Sequence, residues 1–333
     1  MRKLAGIGLF LLVLYGLLLS ASEGARSGQN HYNLGRAIGL YGLISLGAGL
    51  LIISGGIDLS IGSVIGLSST VLVILFKEKG WAPLPAMLAT LLAGCAIGLF
   101  HGVLVTKLRV QAFVVTLCGL FIYRGLARWL GGDKALSLGR EFPAFWRDWL
   151  YRSRAVFGLP MSLVILLVVS ALATVFLHRS IYGRYLGAIG SNERAVRYSG
   201  IATDRYKMLA YVLCSLLAAF FGILYVMETN QVQPSSDGQF LELYAIAGAV
   251  LGGCSLRGGE GTVLGILIGT AILQLLSNLV FMWGIPSALE YTVIGGALLL
   301  GAILDEGLRR GEGRRARGAK EKQEEKPKEH KPA

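Results

Sequence analysis

The sequence predicts an all-α integral membrane protein of about ten transmembrane helices, and three observations support this fold class. Of 333 residues, 54% are hydrophobic and only 16% are charged, and the mean hydropathy is +0.61, outside the usual range of soluble globular enzymes. The charged residues are clustered, which leaves uncharged runs such as 4–20 and 161–177, each long enough to cross about 30 Å of hydrocarbon. The 46 glycines include runs at four-residue spacing, which favour close helix packing in lipid.

Apolar runs, and the breaks between them, delimit the candidate spans. These lie near residues 4–20, 37–53, 61–76, 86–106, 112–129, 161–177, 208–227, 242–253, 262–281 and 288–304. An even number of spans places both termini on one side, and the basic end of the chain assigns that side to the cytoplasm. The same charge rule does not orient the middle of the chain, because the loops 130–160 and 178–207 are both basic and must lie on opposite faces.

The two ends of the chain have different characters. The first apolar run follows a basic start and would also suit a signal peptide, but the rest of the chain is membrane-embedded, so we expect an uncleaved first span. Residues 1–304 are thus predicted to form the transmembrane domain. Residues 305–333 mix Lys and Arg with Glu, Gly and Pro, which predicts a disordered, basic cytoplasmic tail. Because this tail carries much of the +12 net charge, the charge does not indicate nucleic-acid binding.

Glycine-rich breaks precede two of the predicted spans. The second run ends in a pair of glycines, and Asp58 and Ser60, two residue types that favour helix starts, precede the third run. The glycine-rich stretch 252–261 precedes the ninth run in the same way, and a G-[ST]-V-x-G pattern begins at both Gly62 and Gly261. Glycine-interrupted segments in two halves of a chain indicate a transporter built from repeats, with its pathway between them.

A few polar residues within or beside the spans are candidates for a translocation pathway. Asp58 is expected either to cap the third span or to act directly in the pathway. Ser60, Gln111, Thr116 and Asn278 could provide hydrogen bonds to a polar solute, and each could equally form a hydrogen bond between packed helices.

The sequence does not predict an enzyme. It contains no GxxxxGK[ST] motif, so ATP must be bound by a partner, and no cofactor is expected in this chain. Ser54 and His101 lie close to spans, but no GxSxG surrounds a serine and no third catalytic group accompanies them, which argues against an intramembrane protease. The four cysteines have no CxxC spacing and indicate neither a metal site nor a disulfide framework.

The loop 178–207 is long and basic for a connection between spans. Asn192 or Ser191 is expected to cap a short surface helix that Gly200 ends. Such a helix has no partner within a bundle of spans. It therefore either lies on anionic membrane lipid or docks onto another protein.

Four blocks, in order along the chain, carry a resemblance to a known family. They are GGIDLSIGS at 55–63, QAFVVTLCGLFIYRGLA at 111–127, GRYLGAIGSNERAVRYSGI at 183–201 and LGGCSLRGGEGTVLG at 251–265. These blocks resemble the inner-membrane permease subunits of ribose-type ATP-binding-cassette (ABC) importers, and the resemblance covers about 36–304.

The resemblance implies an ABC importer permease fold in the bacterial inner membrane and the import of a small polar solute, a monosaccharide such as ribose. It also implies three partners: a second permease subunit, identical or different, a cytoplasmic ATPase that binds ATP, and a periplasmic or lipid-anchored sugar-binding protein. The alternatives are a branched-chain amino-acid ABC permease, an ion-coupled carrier that uses Asp58, and a membrane scaffold that transports nothing.

The family's ATPase-coupling loop corresponds to 190–201, within the loop 178–207, and the resemblance would place this loop in the cytoplasm. The matching positions are Asn192, Glu193, Arg194, Ala195 and Gly200. The match is incomplete, because Arg-Ala-Val stands where the Glu-Ala-Ala of the family's motif is expected.

Overall fold

A computed structural model describes residues 2–152, 158–296 and 299. The chain divides into two compact units, one ending at Gly284 and one beginning at Ile285. The described part of the second unit holds a 3-10 turn, Ser287–Leu289, and helical residues 290–296. The predicted tenth span, 288–304, therefore extends beyond the described residues, and the predicted tail, 305–333, lies outside them.

The first unit is built almost entirely from helices. They are α1 (Arg2–Ala21), α2 (Glu23–Arg26), α3 (Gly28–Ile53), α4 (Ile61–Val73), α5 (Pro83–Thr106), α6 (Ala112–Leu130), α7 (Ala144–Arg147), α8 (Met161–Thr174), α9 (Ile181–Tyr198), α10 (Thr203–Thr229), α11 (Leu241–Leu251) and α12 (Val263–Met282). Two short strands, β1 (Leu136–Ser137) and β2 (Gln231–Val232), pair antiparallel. The π-helical turns Ile74–Glu78 and Val175–Arg179 extend α4 and α8, and a third, Asp148–Arg152, follows α7.

Within the described residues, eight helices are long and apolar enough to cross a membrane, which confirms the all-α integral membrane fold. They are α1, α3, α4 with its π turn, α5, α6, α8 with its π turn, α10 and α12, and they match the first seven and the ninth predicted spans. The predicted eighth span is the 11-residue helix α11, which is shorter than a full crossing requires.

Most helix ends lie at two opposite faces, whereas α4 and α11 begin at buried positions between them. At the first, which we call the groove face, the end of α5 and the start of α6 line a groove together with the second half of α9. At the second, the strand face, β1 and β2 join the segments that follow α6 and α10. There Arg36, near the start of α3, forms an ion pair of 3.1 Å with Glu228, near the end of α10. From α1 to α10, successive long helices therefore run in alternating directions between the two faces, whereas α12, which follows the short α11, runs in the same direction as α10.

Glycine contacts hold the helices together. A Cβ atom at Gly98 would lie 2.5 Å from the carbonyl oxygen of Tyr211, and one at Gly102 would lie 2.8 Å from Cα of Met208, so α5 and α10 are in backbone contact. In the same way, a side chain at Gly269 would overlap the backbone of α11. This confirms that glycines at four-residue spacing pack helices against one another.

Candidate functional site

The loop 178–207 contains a helix that breaks and restarts at Asn192. The backbone of Asn192 is extended (φ −159°, ψ 89°), and its Oδ1 accepts a hydrogen bond of 3.1 Å from the amide of Ala195. Residues 193–198 then form a short helix, which we call the loop helix. It ends at Gly200, whose φ of +82° suits glycine and whose amide donates to the carbonyl of Arg197. The predicted cap and the predicted end are both confirmed.

The expectation that this helix has no partner within the bundle is wrong, because an ion-pair network fastens the inner side of the loop helix to α10. Glu193 accepts hydrogen bonds from Lys207 at 2.9 Å and from Arg197 at 2.8 Å. Arg197 also reaches Asp204 at 3.0 Å, and Lys107 at the end of α5 reaches the same carboxylate at 3.2 Å. Burial opposes ionisation of Glu193, but the hydrogen bonds and charges of Lys207 and Arg197 outweigh it and hold the pKa of this carboxyl below its usual value.

The outer side of the loop helix presents side chains to solvent. Arg194 and Ala195 are exposed, and Tyr198 has 91% of its surface exposed. Arg194 and Tyr198 are four residues apart and therefore project from the same side of the helix. Tyr and Arg are the residue types that most often anchor protein–protein interfaces. Sequence reasoning missed Tyr198, although its four-residue spacing from Arg194 on a polar helix was a usable signal.

A groove of about 590 Å³ separates the loop helix from the α5–α6 connection. It is lined by Val105, Thr106, Arg109, Val110, Gln111, Ala112, Asn192, Glu193, Arg194, Arg197 and Lys207. Gln111, predicted as a pathway residue, thus lies at the groove face, where it is exposed as the residue before α6. The groove and the outer side of the loop helix together form one polar, mainly basic surface.

The predicted pathway residues Asp58 and Ser60 lie together in a buried turn just before α4. Asp58 Oδ1 accepts hydrogen bonds from the amide of Ser60 at 2.7 Å and from its hydroxyl at 2.6 Å. Asp58 therefore orders the turn, whereas Ser60 occupies the cap position of α4. The predicted capping role is thus indirect, because Asp58 binds the cap residue and not the helix itself.

Behind this turn lies a buried histidine. His101 Nδ1 of α5 is 3.8 Å from Asp58 Oδ2, and His101 Nε2 is hydrogen-bonded to the hydroxyl of Tyr123 on α6 at 2.9 Å. Neither Asp58 Oδ2 nor His101 Nδ1 has a hydrogen-bond partner among the described residues. The side chains of Asp58 and His101 are almost fully buried, so the turn faces α5 away from solvent.

The two other predicted pathway residues have different partners. The buried Thr116 hydroxyl donates to the carbonyl of Ala112 within α6 at 3.0 Å. Asn278 of α12 exchanges hydrogen bonds with Asn30 of α3 in both directions, at 2.9 and 3.1 Å. These contacts stabilise one helix and one helix pair near the strand face.

A cluster of aromatic residues, which we call the outer cluster, lies between α3, α10 and α11. The ring of Tyr41 is 5.7 Å from Phe221 and 6.1 Å from Tyr244, and Tyr225 stacks on Phe221 at 5.9 Å. The hydroxyl of Tyr225 donates to Asp237 at 3.5 Å. The three tyrosines are half-buried. Sequence reasoning missed this cluster, because its members come from three separate helices.

Arg124 and Glu242 fix the backbone around the outer cluster. Arg124 of α6 donates to the carbonyl oxygens of Pro234 at 3.0 Å and of Asp237 at 2.6 Å, which holds the segment between β2 and α11 against α6. Glu242 lies in the first turn of α11 and accepts a hydrogen bond from the amide of Gly62. The carboxylate of Glu242 thus lies at the N-termini of both α11 and α4, where the helix dipole favours negative charge.

Comparison with known proteins gives concordant matches over most of the chain. A family model described as "Branched-chain amino acid transport system / permease component" matches residues 32–302. The ribose import permease protein RbsC of Escherichia coli (strain K12) is 36% identical over 295 residues, 89% of this chain and 91% of the relative. The corresponding protein of Bacillus subtilis (strain 168) is 34% identical over 309 residues, 92% of this chain and 93% of the relative.

A relative with a different name is almost as similar. The autoinducer 2 import system permease protein LsrC of Enterobacter sp. (strain 638) is 33% identical over 300 residues, 90% of this chain and 85% of the relative. No solved structure matches the chain significantly.

Proposed function

Because the chain belongs to the family of branched-chain amino acid transport system permease components, we propose that it is the permease subunit of an ATP-driven importer for a monosaccharide such as ribose. The family description alone would also suit an amino-acid permease. The relatives that match about nine-tenths of both chains, however, are named for ribose import, which favours a sugar. The chain is a transport subunit and not itself an enzyme.

The loop helix provides the main structural support for an ATP-driven mechanism. Its inner side is fastened by Glu193 and Arg197, whereas Arg194 and Tyr198 on its outer side are exposed. A helix held this way can pass a force to α10 without losing its own fold. We assign Asn192 to Gly200 as the surface on which a cytoplasmic ATPase docks. The ATP would be bound by that partner.

The orientation follows from this assignment. If the groove face meets the ATPase, it lies in the cytoplasm and the strand face lies outside. Ile7 of α1 lies near Gly253, in the segment between α11 and α12. The same segment contains Gly259, whose amide donates a hydrogen bond to the end of α3. The start of α1 therefore lies near the groove face. The N-terminus would therefore be cytoplasmic in a bacterial inner membrane. A substrate-binding protein would deliver the sugar to the strand face.

The solute path is proposed to pass the outer cluster. Aromatic rings can pack against the apolar face of a sugar, and the neighbouring carboxylates accept hydrogen bonds from its hydroxyl groups. A second permease, identical or different, would complete the path, which opens to each side in turn as ATP is bound and hydrolysed. The ion-coupled alternative has less support, because Asp58 is buried and already accepts two hydrogen bonds.

Reconstitution in proteoliposomes tests this function. The permease would be purified with its partner ATPase and sugar-binding protein, and uptake of radiolabelled ribose would be measured with and without ATP. We expect uptake only when ATP, the ATPase and the binding protein are all present. An ATPase variant unable to hydrolyse ATP provides the matched control. Uptake driven by an ion gradient without ATP would contradict the proposal.

A further inference from the structure

We propose that a glycine junction next to the loop helix transmits its movement to the starts of α4 and α12, so that Gly190 is a positioning residue for coupling. The junction consists of Gly55 after α3, Gly190 in α9, and Gly258 and Gly259 in the turn before α12. The inference rests on the proposed function, because it assumes that the loop helix is moved by an ATPase. It goes further by naming the residues that carry the movement into the membrane.

The three chain segments of the junction touch through their backbones. The amide of Gly259 donates a hydrogen bond of 2.9 Å to the carbonyl of Ile53 at the end of α3. A Cβ atom at Gly258 would lie 2.8 Å from the carbonyl oxygen of Gly190 and 3.0 Å from Cα of Gly55. A Cβ atom at Gly190 would overlap both the carbonyl of Ile53 and the amide of Gly259. No side chain can therefore be accommodated at the centre of the junction.

Direct backbone contact makes the junction stiff. A displaced side chain can change its rotamer and absorb a movement, but two backbones in contact must move together. Gly55, Gly258 and Gly259 have φ values of +80°, +86° and +80°, a region that other residues rarely adopt. The extended residue Asn192 follows Gly190 by two positions, so the hinge of the loop helix lies directly beside the junction.

Each partner segment leads into a helix of the membrane interior. The segment after Gly55 continues into the turn that Asp58 orders and then into α4. The segment after Gly259 continues to Thr262, whose hydroxyl accepts from the amide of Gly265 and caps α12. A movement of α9 at Gly190 would thus reach the first turns of both α4 and α12.

The buried pair of Asp58 and His101 is consistent with a turn before α4 that can adopt two positions. Asp58 Oδ2 and His101 Nδ1 are 3.8 Å apart, beyond hydrogen-bond distance, and neither has a partner among the described residues. Most buried polar atoms in proteins have a hydrogen-bond partner. A shift of the turn by about 1 Å would bring the two atoms within hydrogen-bond distance. The junction is placed to produce such a shift.

The test compares Gly190→Ala with Gly187→Ala in the full permease assembled with its ATPase and binding protein. Gly187 lies one turn earlier in α9, and a Cβ atom there would have its nearest neighbour at 3.8 Å, which is ordinary contact. In Gly190→Ala we expect ATPase co-purification and ATP hydrolysis to remain, while the sugar imported per ATP hydrolysed falls at least tenfold. Gly187→Ala is expected to retain the wild-type ratio. An equal amount of sugar imported per ATP hydrolysed in the two variants would contradict the proposed role of the junction.

A second pair of variants serves if Gly190→Ala does not fold, as judged by its yield and melting temperature. Ser191 contacts Gly259, so Ser191→Val crowds the same contact from the exposed side of α9, whereas Ser191→Ala does not. A reduced transport ratio in the valine variant alone would support the junction, and equal ratios would overturn it. Wild-type protein that imports no sugar with its ATPase would instead contradict the proposed function.

Discussion

Replacing Glu193 with Gln should loosen the loop helix without unfolding the protein. The substitution removes the charge that pairs with Lys207 at 2.9 Å and with Arg197 at 2.8 Å but keeps an amide of similar size. Both pairs are partly exposed, and such ion pairs contribute roughly 0.2–1 kcal/mol each. The loss is therefore about 0.4–2 kcal/mol, which corresponds to roughly a 2- to 30-fold increase in local opening.

Hydrogen exchange followed by mass spectrometry measures this opening on permease in lipid nanodiscs. The peptide that covers 190–201 should exchange faster in Glu193→Gln, whereas peptides within α10 should not change. Asp133→Asn is the matched control, because Asp133 also pairs with an arginine, Arg128, but at the strand face. Unchanged exchange in 190–201, or equal acceleration throughout α10, would refute the role of the network.

The same network gives a pH dependence of known sign. Because the folded protein holds the pKa of Glu193 below its usual value, the stabilisation is fully present above the ordinary carboxyl pKa of about 4.3 and is lost as the pH falls through the lowered value. Protection of 190–201, corrected for intrinsic exchange, should therefore decline only in that acidic range. Glu193→Gln should abolish this decline, and a decline of equal size in the variant would assign it to another group.

Three further predictions concern other contacts. Tyr198→Ala should weaken ATPase binding by at least about 2 kcal/mol, the scale of an aromatic interface anchor, and titration of the purified ATPase would detect it; unaltered affinity would remove Tyr198 from the interface. Gly98→Leu should separate α5 from α10 at a cost of about 1–3 kcal/mol and lower the melting temperature, whereas Gly125→Ala, in open space, should not; equal melting temperatures would contradict the packing. A double-mutant cycle with Asn30→Ala and Asn278→Ala should give a coupling energy of roughly 0.6–1.7 kcal/mol in unfolding experiments, and a value near zero would argue against the paired amides.

Much of the fold could be predicted from the sequence because a bilayer imposes simple requirements. A crossing helix needs a long apolar run, so hydropathy located each of the eight long helices. The cap at Asn192 and the end at Gly200 were predictable as well, because both depend on the chemistry of a few adjacent residues. The glycines at four-residue spacing indicated packing, although not which helix they would contact.

The contacts within the candidate site were less accessible to sequence reasoning. Tyr123 and His101 are 22 positions apart, and they meet only because α5 and α6 pack side by side with α4. Lys207 reaches Glu193 across 14 positions and a turn. Gln111 was predicted for the pathway because it is polar and close to a span, but the helix begins one residue later and leaves it at the groove face. Such outcomes depend on tertiary packing, which no local pattern encodes.

The length of α11 has a consequence for how the chain is made. Eleven residues at 1.5 Å per residue extend only about 16 Å, roughly half of the hydrocarbon thickness. A segment this short is poorly inserted as a separate transmembrane helix during synthesis. It packs against α3 and α12, and α12 is translated after it. Stable membrane integration of α11 should therefore wait until α12 has left the ribosome, so that truncation before Val263 leaves this segment open to protease.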